Sequence, residues 1–367
     1  MKIAVFTFVS SNNFGSKLQS FALYRYLTSH GHEVDYIVPK NITIFDRFMS
    51  MLDSLFNEKI LCIFRYKELA GIKNALKTSN RTKNDYIVHD ITNDNFNQHL
   101  RIVSKSKLKR LNKLYDAFIC GSDQVWSPLR IPLRKYFFLT FASKNRISYA
   151  ASFGVNTFPS FNRREFKYIN RIDYISVREE SAKKILEMEC PNKKSYVVLD
   201  PVFLVTKNEW LSLFPNKTQS GNYAFLFFLN NNETVVEAIK ASMRDKHIEV
   251  RTINSGDPIA FLEMIHNASY IFTDSFHAVA FSLLFQKNFF CFRRNLEASI
   301  QQENRITDLL SLVGLSYRYN KAFDDSLLSM NNIDYRVVSS ILETKIYESR
   351  NFIDAVLREI ENGNVSS

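Results

Sequence analysis

Ala268-Ser269-Tyr270-Ile271-Phe272-Thr273-Asp274-Ser275-Phe276-His277-Ala278-Val279-Ala280-Phe281-Ser282-Leu283-Leu284-Phe285 is an apolar run interrupted at Asp274-Ser275-Phe276-His277. The residues before the interruption read as a buried strand, and those after it as an apolar helix. A strand that breaks at polar residues and restarts as a helix is the repeating unit of a parallel α/β sheet. His277 then lies at the carboxyl end of a strand, in the first turn of a helix. Ligands bind at that edge of open α/β sheets, because loops project into the crevice and unpaired helix N–H groups attract anions. The imidazole is therefore the leading candidate for a catalytic group. The plainer alternative is a histidine that caps or fills the helix terminus.

Outward from this segment the same grammar recurs. Lys2 to Phe8 is apolar, a polar loop runs from Ser10 to Lys17, Leu18 to Ser29 reads as an amphipathic helix, and Glu33 to Val38 as the next strand. Ala117-Phe118-Ile119-Cys120 runs into Gly121-Ser122-Asp123, Ile147 to Ala151 into Ser152-Phe153-Gly154, and Tyr174-Ile175-Ser176-Val177 into Arg178-Glu179-Glu180 and a helix over Ser181 to Met188. The pattern lapses near Pro191 to Lys194, and Val197-Val198-Leu199-Asp200-Pro201 reads as the crossing into a second domain. There Tyr223 to Leu229, His247 to Ile253 and Phe289 to Phe292 read as strands, and Glu233 to Met243 and Pro258 to His266 as helices. The expected class is α/β: a Rossmann-like domain over 1–195, a second over 196–332 across a cleft, and a C-terminal helical region with a frayed tail over 333–367.

Bulk properties narrow the function. With 367 residues, 46% of them hydrophobic, the chain has material for two cores, and its apolar runs are too short to span a membrane. The start at Met1 shows no signal-peptide core, which points to the cytoplasm. Cys62, Cys120, Cys190 and Cys291 are widely spaced, and the histidines lack ligand spacing, so no metal site is expected. A net charge of +11, from 48 Lys and Arg against 37 Asp and Glu, favours anionic partners: phosphorylated metabolites, nucleotides or an acidic membrane face. Nucleic acid is not expected, since the cations are dispersed and no nucleic-acid module is present. Ile42 to Leu69 mixes Phe, Met, Leu and Ile with Arg47, Lys59, Arg65 and Lys67; it can rest on an anionic inner membrane surface or pack on its own domain.

Four loops follow strands and should open on one edge: Ser11 to Gln19, Gly121 to Trp126, Ser176 to Glu179 and Asp274 to His277. Asn13-Phe14-Gly15 and Gly121-Ser122-Asp123 allow tight turns and close approach of backbone to a ligand. Neither fits the dinucleotide fingerprint or a phosphate-binding P-loop.

In that order, Asn12-Asn13-Phe14-Gly15 with Leu18-Gln19, Gly121-Ser122-Asp123-Gln124-Val125-Trp126, Ser148 to Gly154, Ser176-Val177-Arg178-Glu179 and Thr273-Asp274-Ser275-Phe276-His277 resemble the polysaccharide pyruvyl transferase family, over about residues 1 to 320. The resemblance implies a fold similar to the B-type glycosyltransferases, with the first domain on the acceptor side and the second on the donor side. It further implies transfer of pyruvate from phosphoenolpyruvate, as a ketal, to a sugar of a cell-surface glycan or its lipid-linked precursor. That chemistry needs a proton for the enol methylene carbon, a cradle for a small anionic donor and two ordered hydroxyls, and no redox cofactor.

His277 and Arg178 match the positions for proton handling and anion binding. The alternative for Arg178 is an ion pair with Glu179 or Glu180. Asp274 can orient His277 or cap its helix, Ser275 can bond an anion there, Asp123 and Gln124 can bind sugar hydroxyls, and Trp126 can offer a face to a sugar ring or pack in the core. The sequence departs from the family pattern at Ser275, where relatives commonly carry an Arg before Leu-His; the Asp274-Ser275-Phe276-His277 version resembles a separate branch of the family, which usually has Gly where this chain has Ala278. Arg293, Arg294 and Arg305 are candidates for the missing charge, or ordinary surface arginines. Two rivals follow: a glycosyltransferase using a nucleotide-activated sugar, and a non-catalytic glycan-assembly protein.

Overall fold

A computed structural model describes residues 1–9, 13–40, 96–128, 134–158, 160–215, 221–230, 232–254, 257–294, 304–330 and 332–365. The basic stretch Ile42 to Leu69 lies outside them. Short apolar runs rich in β-branched and aromatic residues form two all-parallel sheets. The first holds β1 (Lys2–Phe6), β2 (Glu33–Lys40), β3 (Leu100–Ser104), β4 (Ala117–Cys120), β5 (Arg146–Ala151), β6 (Tyr174–Val177) and β7 (Ser195–Val197), in the order β3-β2-β1-β4-β5-β6-β7. The second holds β8 (Tyr223–Phe227), β9 (Glu249–Thr252), β10 (Tyr270–Thr273), β11 (Phe289–Phe292) and β12 (Tyr319–Asn320), in the order β12-β11-β10-β8-β9. Strands β4, β8 and β11 are buried along their whole length, as expected for strands covered on both faces. Among the described residues the α-helices of nine or more residues are α1 (Phe14–Ser29), α2 (Glu180–Glu189), α3 (Glu233–Asp245), α4 (Pro258–Asn267), α5 (Phe276–Phe285), α6 (Asn304–Leu312) and α7 (Tyr335–Val365).

The strand orders define where ligands belong. In the first sheet the chain steps outward from β1 to β2 and β3, then returns to β4 on the other side of β1, so the loops after β1 and β4 flank a switch point. In the second sheet β9 and β10 lie on opposite sides of β8, which places the turn after β10, and with it His277, at the corresponding point.

Helix α1 differs from its expected form. It begins at Phe14 rather than Leu18, because Asn13 caps it by accepting from the Gly15 amide (2.9 Å), and twelve of its sixteen residues are buried instead of one face. It is wedged between the domains: Phe14 stacks on Phe261 at 4.9 Å, and Phe21 meets Trp210, which meets Phe281 in α5. One hydrophobic core accordingly runs from β1 and α1 into α4, α5 and α7.

Helix α7 starts on the second domain and ends on the first. Tyr335 donates to the Lys287 carbonyl (2.5 Å), whereas Tyr26 donates to Asp354 (3.0 Å), Tyr174 to Glu359 (2.7 Å), and the Leu199 amide to Ser349 (2.9 Å). No helix among the described residues is long and apolar enough to cross a membrane.

Candidate active site

The four predicted loops meet. Thr7, just past β1, donates to the Ser122 carbonyl (2.6 Å) and accepts from Gln19 (3.2 Å), while Ser16 donates to the Asp123 carboxylate (2.5 Å). The loops after β1 and β4 are thus fastened across the switch point by buried polar bonds, each netting ~1 kcal/mol. Asp123 adopts φ 82°, a conformation that costs a non-glycine residue energy and that clusters at functional sites. Its second oxygen accepts from the Gln124 amide (2.7 Å).

On the facing side, Ser275 caps α5 by accepting from the Ala278 amide (3.5 Å), which sets the helix start and presents His277 from its first turn. The imidazole, 6% exposed, rests against α1: a Cβ built on Gly15 would lie 1.9 Å from its Nδ1. Gly15 is therefore needed for space. The backbone does approach something closely there, and that something is His277.

The other ring nitrogen, Nε2, points toward Asp200 at 3.7 Å, too long for a formed hydrogen bond, and has no hydrogen-bond partner. Asp200 is the hub of the group. Its Oδ2 accepts from Arg178 Nη1 (2.6 Å) and Ser122 Oγ (2.9 Å), and its Oδ1 from the Val202 amide (3.1 Å). Arg178 lies with its guanidinium 4.7 Å from the Phe276 ring centroid, and its Nε and Nη2 are enclosed without hydrogen-bond partners. The ion pair that Arg178 makes is thus principally with Asp200; Glu179 stands further off, at 3.9 Å from Nε, and accepts from Ser152 (2.6 Å).

Burial would raise the Asp200 carboxyl, but His277 and Arg178 overrule it and hold it well below the usual carboxylate range. Burial wins at Glu179, which is raised despite Arg178 and Ser152. The two titrate in opposite senses. A carboxylate depressed on folding stabilises the fold above its unfolded pKa of about 4, and that stability is lost as pH falls through the folded value. Glu179 instead destabilises the fold when ionised, a cost relieved on acidification. Asp200→Asn should therefore cost ~3 kcal/mol or more at neutral pH, by leaving Arg178 without its counter-ion. Its denaturation midpoint should also decline less steeply than that of the unmodified protein below about pH 4. Equal acid slopes in the two proteins would show that Asp200 does not carry the pair.

A sequence model of the family described as polysaccharide pyruvyl transferase matches residues 13–295. The chain belongs to the polysaccharide pyruvyl transferase family. It is a transferase by that membership, and no curated protein matches it in sequence. Among solved structures, Arabidopsis thaliana UGT89C1 complexed with UDP superposes with a TM-score of 0.51 at 10% identity, covering 98% of this chain and 99% of that one. Acinetobacter baumannii MurG (TM-score 0.43, 8% identity, 98% and 100% covered) and Escherichia coli heptosyltransferase WaaC with ADP (0.39, 10%, 94% and 100%) are more distant. The UGT89C1 likeness shows the B-type glycosyltransferase fold expected of a pyruvyl transferase.

Within this family frame several expected site residues take other roles. Trp126 is fully buried, stacks on Phe138 (6.1 Å), and donates to the Phe137 carbonyl (3.2 Å), so its faces are not offered to a sugar. Trp126→Ala should cost ~3–5 kcal/mol of stability, read by denaturant unfolding, whereas Trp126→Phe should leave acceptor KM unchanged. Asp274 neither orients His277 nor caps α5: its carboxylate accepts from the Leu229 and Asn230 amides (2.6 and 3.1 Å), because β10 pairs with β8 and brings their end loops together. Arg294 is engaged there too, donating to the Asp274 carbonyl at 2.9 Å, and Arg293 is held through its backbone amide to Asn320 (2.9 Å). A Cβ at Gly121 would sit 3.0 Å from Thr7, so the close approach there is to Thr7. Ser122 reaches Asp200, and Asn13 caps α1. Gln124 keeps an enclosed Nε2 without a hydrogen-bond partner, beside Gly154.

Sequence reasoning missed Asp200, whose segment reads as a domain crossing. A usable signal was present: Val197-Val198-Leu199-Asp200 has the same apolar-run-to-acid form as Phe118-Ile119-Cys120-Gly121-Ser122-Asp123.

Proposed function

We propose that this pyruvyl transferase family member transfers pyruvate from phosphoenolpyruvate, as a ketal, to two hydroxyls of a sugar in a surface polysaccharide or its precursor. The observation that carries the reading is the group His277, Asp200 and Arg178: an imidazole 3.7 Å from a carboxylate that also binds a guanidinium with two unused donors. Adding the first hydroxyl to the central carbon of the enol phosphate requires a proton at its methylene, which becomes methyl. Expelling phosphate as the second hydroxyl adds closes the ketal and transfers that hydroxyl's proton to phosphate. His277, packed against Gly15 with Nε2 facing the Asp200 carboxylate, moves the first proton. Arg178 binds an anionic oxygen of the donor through Nε and Nη2. Nucleotide and metal are not required by this balance.

A second reading, sugar transfer from a nucleotide-activated donor, is favoured by Ser275 standing where an Arg is usual and by the fold shared with UGT89C1. Incubation with each donor class and sugar acceptors separates them. Phosphate release with a ketal-linked pyruvate on the acceptor supports the first reading; a hexose-sized gain supports the second and refutes the first.

A further inference from the structure

Arg178 is only half a site for a donor that carries both a carboxylate and a phosphate. Its Nη1 is committed to Asp200 and, at 3.4 Å, to Ser122. A second guanidinium approaches the same aromatic ring as Arg178, from α6. Arg305, second residue of α6, lies with its guanidinium carbon 5.9 Å from the centroid of the Phe276 ring that Arg178 also approaches, and its Nε is enclosed without a hydrogen-bond partner. Burial, then the charges of Arg178 and Arg294, push Arg305 down to about 9, with Asp123 and Glu179 opposing. An arginine keeps its proton, so enclosing this one beside Arg178 is unfavourable unless an acceptor is supplied. Buried donors without acceptors are rare in native structures and call for a reason. Here an anion would satisfy both guanidinium groups at once.

Local structure holds Arg305 in place. Helix α2 opens without a side-chain cap from its own N-cap residue, Glu179. Burial raises the Asp308 carboxyl, one turn along α6 from Arg305, and the Ser181 and Glu180 amides beside it offset that only in part. This contact ties α6 of the second domain to the strand-end turn that bears Arg178. Ser275, by contrast, is spent on capping α5 and brings no charge.

We infer that Arg305 is the second cation of the donor site, supplying from α6 the charge that Ser275 does not supply before His277. The inference rests on the donor reading above, and the test separates the two. Binding of phosphoenolpyruvate, and separately of inorganic phosphate, is measured by calorimetry and by thermal shift on the unmodified protein, Arg305→Met and Arg305→Lys. Arg305→Met should weaken phosphoenolpyruvate binding by at least about tenfold, with the midpoint of the ligand-free protein unchanged or higher. Arg305→Lys should recover part of the affinity. Unaltered binding in Arg305→Met would overturn the inference, as would a fall in its ligand-free midpoint accompanying the lost binding, since that marks a structural role. If the unmodified protein ignores phosphoenolpyruvate, the donor reading fails, and inorganic phosphate then decides the role of Arg305. A phosphate response lost in Arg305→Met supports an anion ligand; no response, or an equal one, refutes it.

Discussion

His277→Ala is expected to lower the rate of transfer by about 10²–10⁴-fold, the range over which a positioned general acid or base contributes. Donor affinity should change far less, because Arg178 and Asp200 retain their mutual hydrogen bond at 2.6 Å without the imidazole. The ring is 6% exposed and packs edge-on to Phe276, so its loss also leaves a small void, and a modest fall in unfolding midpoint should accompany the variant. Steady-state rates with KM and kcat resolved, together with thermal unfolding, distinguish these effects. A variant that keeps wild-type kcat would remove His277 from the chemistry and leave it the helix-terminus histidine that was the plainer reading of its sequence.

Gly15→Ala should be nearly as damaging, although it removes no chemical group. The added carbon would lie 1.9 Å from His277 Nδ1 and 2.3 Å from Cγ, distances no pair of atoms tolerates, so either the imidazole rotates away from Asp200 or the first turn of α1 moves. Outside this contact the change would favour the fold, since alanine in a helix is preferred to glycine by ~1 kcal/mol. The sign of the stability change therefore reports the clash. In the His277→Ala background the obstacle is gone, and Gly15→Ala should cost no further activity and should raise stability. That non-additivity, measured as a double-mutant cycle, is the signature of direct contact across the domain interface. Additive losses would mean that Gly15 acts elsewhere.

The parts of the site that were legible in the sequence share one property: each is a polar break at the end of an apolar run. His277, Arg178 and the loops at Gly15 and Asp123 were found because a parallel sheet sends every strand end to one edge. The parts that were illegible depend on strand order and domain packing. Asp274 is as polar a break as Asp123, but β10 lies beside β8, and the neighbouring loop takes its carboxylate. Trp126 follows a strand-end loop, yet the chain turns it back under Phe138 and Phe153. Helix α1 was expected to show one apolar face because its second covering, from α4 and α5, comes from residues more than two hundred positions away. Asp200 sits in a connection between domains, where a local pattern gives no reason to expect a side chain aimed back at the first sheet.

One clustering of charge also has energetic meaning. Removing either partner of the enclosed Asp200–Arg178 pair strands the other, while the nearby guanidinium of Arg305 has an enclosed nitrogen with no acceptor. Enclosed guanidinium donors without acceptors at Arg178 and Arg305 are what an anionic substrate would complete.

The most direct test of the central claim follows the proton. Transfer from unlabelled phosphoenolpyruvate is run in deuterated water, and the modified sugar is analysed by mass spectrometry and NMR. The account predicts an acceptor bearing a ketal-linked pyruvate whose methyl group carries a solvent deuterium, formed with release of phosphate and lost in His277→Ala. A modified acceptor without deuterium in that methyl, or a product bearing a hexose and no pyruvate, would contradict it.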